Sequence, residues 1–167
     1  MGESNQDVQE MKGIDERDLF GLCNRTKCAF AITSQTIRPE SITQELGVWP
    51  DRSHKKDPHE GDTDTIGMDS CYLWEISSGE TIHGESSISP HIHYLKSKLK
   101  DKLDVVDRYK KNPRCILTVS VRLATDVGGM AFDLDEEELT FIYRICNKLS
   151  VHLMAMKNIM VRDRYLV

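Results

Sequence analysis

Six histidines are the first residues in this chain that could hold a metal or move a proton. His91 and His93 are two apart at the start of an expected helix, where such positions diverge by about 200° around the axis and do not converge on one ion. His54 and His59 stand beside Asp57 and Glu60 in a polar stretch, His83 stands alone, and His152 falls in an expected strand. No H-E-x-x-H and no Cys/His ligand spacing occurs. The five cysteines include no C-x-x-C. Cys28, Cys71, Cys115 and Cys146 each lie in an apolar pattern, as free buried thiols of a reducing cytoplasm would. For nucleophilic chemistry there is no G-x-S-x-G and no cysteine with a histidine partner in view. Gly128-Gly129 reads as a hairpin turn, because no helix start and no Lys-Ser/Thr follow to cradle a phosphate. Asp133, Asp135 and the three glutamates at 136–138 sit where helix capping accounts for them. The sequence leans away from an enzyme: it offers no catalytic residue, no cofactor site and no metal site.

Binding chemistry is easier to see. Residues 91–114 hold eight Lys or Arg against three Asp, in a chain whose net charge is −5. Lys96, Lys100, Lys110 and Lys111 should ride the solvent side of a helix, and Arg52, Lys55 and Lys56 add charge to the loop that follows Trp49. Such a surface suits an acidic or phosphate-bearing partner. Few aromatic residues interleave with these cations and no RNA-binding motif appears, which argues against nucleic acid. The candidate contact residues are Trp49, Arg52, His54, Lys55, Lys56 and His91. Trp49 stands between a helix end and Pro50, as either a lid on the core or a partner contact, whereas Trp74 alternates within a strand and should be core.

The elements that must position these residues follow from periodicity. Residues 1–26 are polar and acidic apart from the knot Leu19, Phe20 and Leu22, and read as a mobile leader without the apolar segment of a secretory signal. Residues 27–156 form one domain and 157–167 a tail. A strand over 28–33 has small or apolar residues on both faces, so we expect it to be buried on both sides. Pro39 opens a helix and Gly47 closes it, with Ile42 and Leu46 on its buried face. A turn-rich loop spans 50–70, and a strand follows over 71–76. Ser89 and Pro90 start a long helix with the stripe Ile92, Leu95, Leu99, Leu103 and Val106, ended by Asn112-Pro113. Residues 115–123 form a strand and 130–134 its hairpin partner. Asp135 and Glu138 then cap a helix that buries Leu139, Ile142, Ile145, Cys146 and Leu149, before a last strand over 151–156. From Cys71 onward the order is the ferredoxin-like β-α-β-β-α-β. The fold class is therefore α+β, with an added N-terminal strand-helix unit and the helices on one face of a mainly antiparallel sheet.

Three runs carry a family resemblance: Phe30-Ala31-Ile32, the run from Pro39 to Pro50 with its Ile-Thr-x-x-Leu-Gly-x-x-Pro, and Leu73-Trp74-Glu75-Ile76-Ser77-Ser78. With the segment from Gly129 to Leu134 ahead of an acidic helix, residues 28–156 resemble the bacterial family called domain of unknown function 4279. Arg38 departs from the acidic or small residue usual before that proline, and the basic Arg52–Lys56 cluster is not one to carry over from relatives. The resemblance implies the fold and a bacterial cytoplasmic setting, and no activity.

Two functions remain in view. The first is a non-enzymatic module that binds another protein, for example a toxin-neutralising immunity protein. Its surface would run from Trp49 through the 50–70 loop to the acidic start of the last helix. The alternative is a domain that holds or hydrolyses a phosphorylated small molecule, through the basic 52–56 loop and His91 at the start of the second helix. No run of about 18 apolar residues is present to span a membrane. A free sheet edge would leave room for a homodimer.

Overall fold

The computed structural model describes residues 24–55, 71–82, 87–125 and 132–155. Five strands form one sheet in the order β2-β3-β1-β4-β5. They are β1 (Asn24–Ser34), β2 (Arg52–His54), β3 (Tyr72–Ser77), β4 (Cys115–Thr125) and β5 (Lys148–Ala155). The helices are α1 (Pro39–Leu46), α2 (Ser89–Leu99), α3 (Leu103–Lys111) and α4 (Glu136–Ile145). The protein is thus α+β with a mixed sheet. β1 pairs antiparallel with both β3 and β4, β2 pairs antiparallel with β3, and β5 runs parallel to β4.

Two expectations about the sheet are corrected here. Phe132–Leu134 forms no strand, and the rest of the expected hairpin, with its Gly128-Gly129 turn, lies outside the described residues. β4 reaches β5 through α4, and a crossover through a helix returns the chain parallel. β1 is not buried on both faces. Cys28, Phe30 and Ile32 are sealed under the helices, while on the other face Ala31 is buried and its neighbours Ala29 and Thr33 are only half-buried.

The helices sit where their apolar stripes require. Pro39 is in the first turn of α1, and Gly47 ends it at φ 64°, donating its N–H to the Thr43 carbonyl. A β-carbon would oppose that left-handed conformation. The expected long helix is divided: the 3-10 turn Lys100–Lys102 separates α2 from α3. Ile92, Leu95, Leu99 and Val106 are buried as expected, Tyr109 joins them, and Leu103 is only partly covered. α2 starts at Ser89 with Ile88 as its cap residue, so Ser89 provides no cap bond. α4 has the expected capping box: the Glu138 N–H donates to Asp135 Oδ1 at 2.7 Å, and the Asp135 N–H donates to Glu138 Oε2 at 3.0 Å. Such a cap contributes about 1 kcal/mol.

The core lies between the sheet and the helices, around Phe30, Ile32, Trp74, Leu117 and Val119. Phe30 and Trp74 meet edge to face, with ring centres 6.4 Å apart. The Trp74 indole N–H donates to Thr43 Oγ1 at 3.0 Å, and that hydroxyl donates to the Pro39 carbonyl. This link fixes α1 on β3. No helix of the described residues is long and apolar enough to cross a membrane.

Candidate functional site

Trp49 is set by the end of α1. Gly47 turns the chain, Val48 folds partly into the core, and the indole of Trp49 is left 84% exposed. It is not a core lid. Together with Pro39, Thr43, Gln44, Pro50 and Ser53 it borders a groove of about 620 Å3 on the outer side of α1. A rigid helix cap on one side and Pro50 on the other hold the ring there.

Arg52, His54 and His91 are not gathered around it. On β2 the side chains alternate, so Ser53 faces the α1 groove while Arg52 and His54 face the opposite side of the sheet. Lys55 is paired with Glu40 at 2.8 Å, and both side chains are largely in solvent, so the pair adds little. Lys56 lies outside the described residues. The acidic start of α4 is not beside Trp49: α4 covers β4, and β3 and β1 separate that strand from β2.

His91 is the clear correction. It is fully buried and cannot touch a ligand at the surface. Its Nδ1 lies 2.7 Å from Ser78 Oγ, which is equally buried. His91 is on the face of α2 that packs against the 3-10 turn Ser78–Glu80, which follows β3. The His91 side chain therefore offers no surface contact to a phosphate. Two lysines of the long helix, Lys96 and Lys110, are also engaged. Lys96 pairs with Glu137, and Lys110 lies over the Tyr143 ring, donating to the carbonyls of Tyr143 and Arg144 at the end of α4.

Sequence reasoning missed the open face of the sheet. Strand register places Ser77, Ala29, Ser120 and Ser150 side by side in one row across β3, β1, β4 and β5. Two residues along each strand, on the same face, a second row holds Lys27, Arg122 and His152. Two residues the other way, a third row holds Arg52, Glu75, Ala31, Thr118 and Lys148. A row of small residues beside Lys27, Arg122 and His152 on one side and Arg52, Glu75 and Lys148 on the other makes a trough. Between β2 and β4 it deepens to a pocket of about 350 Å3 lined by Lys27, Arg52 and Arg122, with Asp51 and Glu75. The Lys27 stem crosses Gly79, where a β-carbon would come within 2.8 Å of its Cδ. Asp51 is committed to the fold: its Oδ2 accepts the Ser77 N–H at 2.6 Å. None of the ion pairs between described residues involves Lys27, Arg52 or Arg122. The signal available in sequence was only polar alternation; the convergence appears with the register.

The buried thiols Cys28, Cys115 and Cys146 are poor nucleophiles. Burial, and then the Glu138 carboxylate, push Cys28 up to about 12 from an ordinary 9.0, and burial raises Cys115 and Cys146 as well. No cluster of three or more His, Cys, Asp or Glu among the described residues could hold a metal ion.

No curated protein and no solved structure matches the chain. One family model, described as "Domain of unknown function (DUF4279)", matches residues 24–156, which span every described strand and helix. The chain belongs to the DUF4279 family.

Proposed function

We propose that this protein is a non-enzymatic module of the bacterial cytoplasm that binds another protein, with a toxin-neutralising immunity protein as its concrete form. The single observation that carries this reading is Trp49. A tryptophan at 84% exposure, held by a glycine cap and a proline at the mouth of a preformed groove, loses little conformational entropy when covered. Next to it, β2 is a short edge strand whose outer side has no neighbour in the described sheet. Lys55 and Glu40 supply a polar rim.

The ferredoxin-like relationship also enters here as a reading. What supports it is that β3 and β4 are parallel across β1 and are joined by α2 and α3, as in a split β-α-β unit.

The test is affinity capture from the native host with wild-type protein and Trp49→Ala side by side. A stoichiometric partner held by the wild type and lost from the variant supports the reading. No partner, or one held equally by both, contradicts it.

A further inference from the structure

We infer that the trough on the open face of the sheet binds a small phosphate ester. The cations Lys27, Arg52 and Arg122 outnumber the carboxylates Asp51 and Glu75 around one pocket, in a chain whose net charge is −5. Like charges so placed repel one another, and a dianion between them removes that cost. Lys27 and Arg122 are register partners, so their side chains rise together at one end of the pocket, and no ion pair between described residues engages either. Arg52 stands at the other end with Glu75 as its register partner. The pocket is therefore polar along its length. A phosphate fits between Lys27 and Arg122, and the hydroxyl or amino groups of its ester fit against Glu75. Ser77 and Ser120 supply hydroxyls on the floor, and Ala29 between them leaves the depth. Gly79 positions the Lys27 stem at the rim. A volume of about 350 Å3 suits a metabolite. Among the described residues no aromatic side chain lines the pocket to offer a platform on which a nucleobase could stack. This site uses neither Trp49 nor His91.

Amide chemical shifts of the full-length protein, titrated with O-phosphoserine and with serine as the phosphate-free control, test this directly. We expect saturable shifts at Ala29, Ser77 and Ser120 with O-phosphoserine and none with serine. Arg122→Gln and Lys27→Gln, both at exposed positions, should each weaken binding about tenfold. Lys100→Gln on the helix side, and Trp49→Ala, should leave it unchanged. Absence of saturation at millimolar O-phosphoserine overturns the inference. Equal weakening by Lys100→Gln overturns it by showing diffuse charge. Tighter binding of a short oligonucleotide at the same amides overturns the ester assignment.

Discussion

Ser78 and His91 are joined inside the core, the serine oxygen 2.7 Å from the imidazole Nδ1. The same oxygen accepts the N–H of Cys28 at 2.9 Å and donates to the Cys28 carbonyl at 3.0 Å. A hydroxyl has one proton, so all three contacts are satisfied together only when Nδ1 carries the ring proton and donates to Ser78. The serine thereby stands in for a strand residue beside β1, just beyond the last β1–β3 register pair, Ala29 and Ser77.

Ser78→Ala removes all three bonds at once. We expect a loss of about 3 kcal/mol in chemical denaturation, since buried polar groups of Cys28 and His91 lose a partner. Ser78→Thr, which keeps the hydroxyl, should recover part of it. A loss within about 0.5 kcal/mol for Ser78→Ala would show that the bonds are not formed.

Thr43→Val keeps the shape of the side chain and removes the acceptor for the Trp74 indole. The expected cost is about 1–2 kcal/mol, accompanied by a shift in tryptophan emission. Trp49→Ala, by contrast, should leave stability within about 0.5 kcal/mol of wild type, because its ring is in solvent. This pairing separates the structural tryptophan from the exposed one.

Thiol labelling should divide the described cysteines. Cys71, half-buried, should react first in the native protein, and Cys28, Cys115 and Cys146 should react only on unfolding. The same groups set an alkaline limit. Their thiols ionise less readily in the folded chain than in the unfolded one, and burial and the Glu45 carboxylate raise Tyr109 similarly. The unfolded chain therefore releases its protons first. Stability should be intact below pH 9.0 and fall as pH rises toward about 12. Denaturation midpoints measured across that window check it, and Cys28→Ala should flatten the decline.

Local signals in the sequence were reliable where chemistry is local. Pro39 and Gly47 bracket α1, and Asp135 with Glu138 caps α4, because a proline ring, a left-handed turn and a three-residue reach need no distant partner. Signals that depend on assembly were not legible. β2 is three polar residues, too short to show a period. Leu139 and Leu149 have apolar spacing yet remain about half exposed, and Leu149 falls on β5, at the edge of the described sheet, and not on the helix. His91 looked like a surface residue until Ser78, thirteen positions away, gave it a buried partner. The trough joins Lys27 to Arg122, and only strand register makes them neighbours.

The most direct measurement is photo-crosslinking in the native host, with a photoreactive amino acid replacing Trp49 in one strain and Lys100, on the helix side, in another. Docking at the α1 groove predicts one discrete heteromeric adduct from position 49 and none from position 100. No adduct at 49, or the same adducts from both positions, would contradict a protein-binding role for this groove.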